Sequence, residues 1–264
     1  MIITTHKIDI RRDMMNLTLQ PHIRLGEEHS ASYALLPGDL QRVDRVKTFL
    51  EKPVEVAFNR EFKSILGFYK GIKILVTSTG IGGPSTAIAV EELKNIGVNT
   101  LIRIGSCGAL QSNIKLGDLI LATGAVRNDG SSKSYIESSY PAVPNINVLT
   151  SIINTASELR YQYHCGIIRS HDSFYTDNEQ AIDSFWTNNG VLASDMESAS
   201  LMVIGSLRGL KTASILNVVV ENNYALEDGI NSYVDGEDET SKGEEKEIIL
   251  ALESIVKLDS LKNK

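Results

Sequence analysis

Four short segments of this chain place glycine or arginine where an anion is easily held. Leu36-Pro37-Gly38-Asp39-Leu40-Gln41-Arg42 sets a glycine at a strand-to-helix turn, with an arginine about one turn further on. A glycine there lets backbone N–H groups approach a ligand closely, and a helix N-terminus favours negative charge. Thr79-Gly80-Ile81-Gly82-Gly83-Pro84-Ser85 is a second such turn, and Arg103-Ile104-Gly105-Ser106-Cys107-Gly108 is a third. Asn59-Arg60-Glu61-Phe62 is the fourth segment. Arg103 is the most informative residue, because it interrupts the apolar run Leu101-Ile102-Arg103-Ile104. A guanidinium buried on a strand needs an anionic partner. That partner is either a carboxylate of the chain or a ligand phosphate, which the planar fork of donors fits. The turns match neither GxGxxG in the setting of a dinucleotide fold nor the loop GxxxxGK[ST]. Two cysteines, Cys107 and Cys165, make neither a disulfide framework nor a four-ligand zinc site.

The elements that must position these residues alternate. Short β-rich runs fall at 33–36, 54–58, 72–78, 100–105, 118–122, 166–169 and 213–220. Between them lie helical stripes: Ala89, Val90, Leu93 and Ile96 after Pro84, then Leu149, Ile152, Ile153, Ala156 and Leu159. Asp195 is placed to cap a mostly apolar helix through Met202 and Leu207. A C-terminal helix is expected over 244–262, acidic at its start and basic at its end as the helix dipole prefers, with Ile248, Leu252, Ile255 and Val256 on one face. Strands interleaved with helices predict an α/β fold with helices packed on a central sheet. No composition break divides the chain, so a single domain over 1–264 is expected, with 1–30 as an N-terminal extension. The stretch 221–247, rich in Glu, Asp, Asn and Gly, reads as a flexible acidic loop, either a solvated surface segment or a flap over a ligand pocket.

Composition narrows the function classes. Hydrophobic residues at 42% and charged residues at 22% are ordinary for a globular protein, and the net charge of −7 argues against one that coats nucleic acid. No apolar run approaches the ~20 residues of a membrane span. Met1 to Asp13 lacks the apolar stretch of a signal peptide, so a soluble cytoplasmic protein is the expectation.

Taken in order, the segments resemble the nucleoside phosphorylases of the uridine phosphorylase and hexameric purine nucleoside phosphorylase family. The similarity runs over about 36–210 and rests on Pro37-Gly38-Asp39 with Arg42-Val43-Asp44, on Asn59-Arg60-Glu61-Phe62, on 78–93, on Arg103-Ile104-Gly105-Ser106-Cys107-Gly108, on Val126-Arg127-Asn128-Asp129-Gly130, on Tyr140-Pro141-Ala142-Val143, on Ser173-Phe174-Tyr175 and on Asp195-Met196-Glu197-Ser198-Ala199. The resemblance implies one α/β domain, a central mixed β-sheet with a barrel-like portion flanked by helices. It implies a homodimer as the minimal active unit, commonly three dimers in a homohexamer, and reversible phosphorolysis of a ribonucleoside to free base and ribose 1-phosphate. The partners would be a nucleoside and inorganic phosphate, with no nucleic acid, no membrane and no organic cofactor.

By the same resemblance Gly38, Arg42, Arg103 and Ser106 bind phosphate within one subunit, and Arg60 reaches in from the neighbour; a surface salt bridge is the alternative for Arg60. Met196 and Glu197 hold the ribose, with Arg103 and Glu197 the catalytic pair. His22 corresponds to a histidine that approaches the sugar across the dimer, or is an ordinary surface residue. Phe174 stacks on base or sugar. Asn178 and Gln180 take the positions from which uridine phosphorylases read uracil with a glutamine and an arginine. Asp195 adjoins the base or only caps its helix. Val219 stands about where purine enzymes place a proton-donating aspartate, with Asp228 or Glu221 as distant substitutes. Glu61, Ile81 and Ser85 fall where uridine phosphorylase relatives hold a monovalent cation such as K+ between subunits, or have a structural role without an ion. A nucleophilic Cys107 is disfavoured, since no histidine lies near it in sequence. A pyrimidine nucleoside phosphorylase is therefore expected. The alternatives are a purine enzyme acting on inosine or adenosine, a nucleoside hydrolase, or a non-catalytic nucleoside-binding homologue.

Overall fold

The computed structural model describes residues 19–222 and 238–262. β1 (Tyr33–Pro37) lies between β4 (Ile72–Thr77) and β5 (Thr100–Ala109) and runs parallel to both. All five β1 residues are buried, which is why its sequence is a continuous apolar run and does not alternate. β2 (Glu51–Asn59) and β3 (Phe62–Tyr69) continue the sheet beyond β4 as an antiparallel meander. On the other side of β5 come β8 (Ala193–Asp195), β7 (Tyr163–His171), β6 (Leu119–Asn128) and β9 (Lys211–Val220), and β9 pairs back onto β5. That last pairing closes five strands into a barrel and leaves the other four as an open wing. The mixed sheet with a barrel-like portion is thus present as expected.

Helices cover the sheet with three apolar clusters, the third of which gathers Ile120, Ile168, Met202, Val203 and Leu216. α1 (Leu40–Lys47), α4 (Ile146–Leu159) and α7 (Asp238–Lys262) bury Val43, Ile152 and Leu252 with Leu35 and Ile104. α2 (Gly83–Asn95) and α6 (Ser198–Leu207) bury Val90, Leu93 and Ile204 with Leu36 and Leu101. α3 (Gly130–Tyr135) starts at Asp129, whose side chain accepts from Ser132 N. α5 (Glu179–Asn188) buries no residue completely.

The structure corrects several boundaries. β3 is a full strand that pattern reading missed, because Ser64 and Gly67 break its apolar alternation; both are nonetheless buried between β2 and β4. The three-residue β8 is too short to carry a periodicity. The C-terminal helix begins at Asp238, so the acidic loop does not extend to 247. Glu244 and Glu247 are buried helical residues that face arginine instead of water. Residues 223–237 of that stretch, including Asp228, lie outside the described residues, as do residues 1–18 of the N-terminal extension. The described part of that extension is no appendage: Ile23 and Leu25 are buried in the second cluster, and Ile23 N donates to Glu92 at 2.8 Å.

Candidate active site

A cavity of about 650 Å³ opens at the ends of β1, β5 and β9, beside the turns that begin α1, α2 and α6. Asp39 caps α1 by accepting from Gln41 N at 2.9 Å and Arg42 N at 3.1 Å, which fixes Gly38 at the cavity wall and Arg42 in the first turn. The Arg42 guanidinium donates from Nη1 to the Ile104 carbonyl at 3.2 Å and from Nη2 to Ser106 Oγ at 2.8 Å. Its Nε lies 3.1 Å from Glu244 Oε2 on α7. Glu244 also takes Arg45, while Glu247 accepts from Gly105 N at 2.6 Å and stands 3.5 Å from Arg42 Nη1. Burial pushes the Glu247 carboxyl up to about 8 in spite of Arg42, and Glu244 adds to the rise.

Arg103 is held from two sides. Nε donates to Asp195 Oδ2 at 3.0 Å, and Nη2 lies 2.6 Å from Glu197 Oε2. Burial alone would lower this guanidinium's pKa, but the carboxylates of Glu197 and Asp195 outweigh it and the value is raised. Nη1 is buried with no hydrogen-bond partner among the described residues. It faces Gly38, where a Cβ would sit 3.8 Å from it. Gly105 is required here, since a Cβ at that position would come within 2.5 Å of Arg103 Nη2. An orphaned guanidinium nitrogen on a cavity wall is a donor waiting for an oxyanion, because leaving it unmet costs free energy.

Glu197 precedes α6, where Oε1 accepts from Gly82 N at 2.5 Å and Oε2 meets Arg103. Its pKa is raised, first by burial and then by Asp195, with Arg103 opposing. A carboxylate offers about four lone-pair directions, so these partners leave capacity for hydroxyl donors. Met196, Phe174 and Val219 line the same cavity. Asp195 lines the cavity too, with both carboxylate oxygens engaged. Its Oδ1 takes Ser170 Oγ at 2.5 Å, while Oδ2 takes Ser198 N, Ser198 Oγ and Arg103, so it caps α6 and anchors the arginine. Cys107 is buried and burial pushes its thiol well up, away from the thiolate that a nucleophile needs.

Arg60, His22, Asn178 and Gln180 lie outside the cavity of the single chain. Arg60 is exposed at the β2–β3 turn with φ +55°. His22 is engaged with Glu92, 2.6 Å from Nδ1 to Oε1, and its carbonyl accepts from Asn59 Nδ2 at 2.7 Å, so it neighbours the Arg60 turn. Asn178, at the start of α5, lines no part of the cavity, and Gln180 faces an adjoining one. Glu61 and Ile81 line the cavity mouth, and Ser85 Oγ lies 3.3 Å from the Ile81 carbonyl oxygen. These oxygens are of the hard type that suits K+. Glu244, Glu247 and His171 belong to the site or its support and were missed. The two glutamates come from an acidic stretch far away in sequence, and His171 carries no motif.

A partly closed α/β sheet with two buried arginines, one on β5 and one in the first turn of α1, defines a protein built to hold an oxyanion beside a small organic ligand. A family model described as "Phosphorylase superfamily" matches residues 32–256, and the chain belongs to that family. It is 42% identical over 212 residues to the uridine phosphorylase of Thermococcus kodakarensis, covering 76% of each chain. It is 40% identical over 199 residues to the guanosine phosphorylase of Halorubrum lacusprofundi, covering 75% of this chain and 82% of that one. The crystal structure of uridine phosphorylase from Vibrio fischeri ES114 superposes with a TM-score of 0.85 at 43% identity, over 92% of this chain and 99% of that one.

Proposed function

We propose that the protein is a nucleoside phosphorylase of the uridine phosphorylase type, a pentosyltransferase that exchanges a nucleoside's base for inorganic phosphate. The observation that carries this reading is Arg103 Nη1, buried and unpartnered opposite the Gly38 turn, with the guanidinium's other nitrogens fixed by Asp195 and Glu197. Phosphate held by that nitrogen, the Gly38 backbone, Ser106 and Arg42 lies next to Glu197, which accepts from the ribose 2′- and 3′-hydroxyls. A phosphate oxygen attacks C1′, the C1′–N bond breaks, and its electron pair leaves on the base nitrogen. Positioning and fixed charge supply the acceleration, and the hydroxyl contacts strengthen as the sugar becomes oxocarbenium-like. Phosphate is itself the nucleophile, so the step needs no side-chain nucleophile.

The same reading includes a second subunit. Arg42 and Arg103 are already faced by the carboxylates of Glu244, Asp195 and Glu197, so a phosphate dianion gains from further positive charge. Arg60 supplies it from the neighbour, with His22 beside it. Phe58 on the strand leading to Arg60 and Ile81 at the cavity mouth are 60% and 80% exposed, apolar surface that suits burial in a dimer. A homohexamer of such dimers, K+ at Glu61, Ile81 and Ser85 between subunits, and a role in cytoplasmic nucleoside salvage complete the proposal. Among the described residues no helix is long and apolar enough to cross a membrane.

The test is a purified preparation given uridine with and without inorganic phosphate. Phosphate-dependent release of uracil with one ribose 1-phosphate per base is expected. Cleavage at an equal rate in phosphate-free buffer makes the protein a hydrolase instead.

A further inference from the structure

The cavity does not close behind Phe174. Gly108, His171, Phe174, Ser194 and Val220 line both it and a second cavity of about 630 Å³. Strand register explains the opening. Ser194 pairs with Arg169 on one side and Gly108 on the other, and Gly108 pairs with Val220, so the four lie in one row across the sheet and share a face. The middle of that row is a serine and a glycine. A Cβ added at Gly108 would meet nothing nearer than Val220 Cβ at 3.9 Å, so the floor of the site is low and open there.

Two polar groups stand at this junction. Ser194 Oγ is buried with no hydrogen-bond partner among the described residues. His171, 8% exposed, has Nδ1 2.8 Å from the Ser173 carbonyl oxygen. A carbonyl only accepts, so Nδ1 carries the hydrogen and Nε2 of the neutral ring is a bare acceptor. Burial and then Arg169 push the ring's pKa down; the Ser173 carbonyl, Glu179 and Asp195 oppose this without reversing it.

Resting on the phosphorylase reading above, we propose that His171 selects the base, Nε2 accepting a hydrogen bond from a ring N–H that adjoins a carbonyl, while Ser194 Oγ donates to that carbonyl. The substrate class is nucleosides of oxo bases: uridine among pyrimidines, guanosine and inosine among purines. The space behind Phe174 has room for a purine's second ring. Cytidine and adenosine present a bare ring nitrogen at the same edge, which sets acceptor against acceptor and leaves both unmet. Gln180 lines the second cavity, within reach of the far edge of a large base.

The experiment measures kcat/KM with saturating phosphate for uridine against cytidine and guanosine against adenosine. The wild type is expected to favour the oxo member of each pair by about a hundredfold or more. His171→Ala is expected to lower uridine and guanosine turnover by about tenfold or more, and to collapse the oxo-to-amino ratio, while the KM for phosphate stays constant. His171→Gln, whose side-chain carbonyl accepts a hydrogen bond, recovers part of the ratio, and Ser194→Ala shifts it the same way by less. Wild-type ratios in all three variants overturn the proposal. A wild type that cleaves none of the four nucleosides with phosphate overturns the phosphorylase reading, and this proposal with it.

Discussion

Arg103 combines two duties that usually conflict. It must be rigid enough to orient a phosphate, yet it must keep one nitrogen free for it. Asp195 and Glu197 settle the conflict by taking Nε and Nη2 and leaving Nη1. Removing the guanidinium would leave two buried carboxylates facing each other, so Arg103→Ala is expected to cost about 3–5 kcal/mol of stability as well as activity. Arg103→Lys is the more informative change, because it keeps the charge and loses the fork. A normal circular dichroism spectrum with a rise of about tenfold or more in the KM for phosphate is expected, and an unchanged KM would remove Arg103 from the phosphate site. The arginine was legible in sequence because it interrupts an apolar strand, and Glu197 because it sits in a motif. His171 was not legible. Its chemistry depends on a hydrogen bond to its own neighbour's carbonyl and on the low row formed by Ser194 and Gly108, neither of which has a sequence pattern.

Among the elements, α7 does the least expected work. Its apolar face was readable from Ile248, Leu252 and Ile255, all buried. Its acidic first turns looked like part of a solvated loop, because composition does not distinguish a carboxylate facing water from one facing arginine. In the fold Glu244 binds Arg42 and Arg45, and Glu247 binds the Gly105 backbone, so the helix buttresses the turn that carries Ser106. The folded protein holds the Glu247 proton up to about pH 8, whereas the unfolded chain releases it near the ordinary value of 4.5. More protons bound in the native state means that stability falls as pH rises through this window. The fall is at most about 1.4 kcal/mol per pH unit from this one group. Glu247→Gln removes the titration. Its denaturant midpoint, measured from pH 5 to pH 8, is therefore expected to decline less steeply than that of the wild type. Parallel declines would show that Glu247 titrates normally. The strands divide the same way: β1 and β9 were legible as apolar runs, while β3 and β8 owe their existence to neighbours that cover Gly67 and extend a three-residue segment.

For the whole molecule, the decisive question is where Arg60 acts. It lies outside the cavity of its own chain, at a turn two residues after the exposed Phe58, and the site it is proposed to serve has its own arginines already engaged by carboxylates. If Arg60 works across a dimer, Arg60→Ala is expected to weaken phosphate use by about tenfold or more while leaving the thermal midpoint of the isolated subunit unchanged. Co-expression supplies the sharper test. In a mixed dimer of Arg60→Ala and Arg103→Lys chains, the first chain's cavity keeps its own Arg103 and receives an intact Arg60, while the other cavity carries both defects. Random pairing then restores roughly a quarter of all sites to wild-type composition, so activity should recover to about that fraction of wild type. If Arg60 instead served its own chain, every cavity in the mixture would carry one defect, and co-expression would give no more activity than the average of the two variants measured alone.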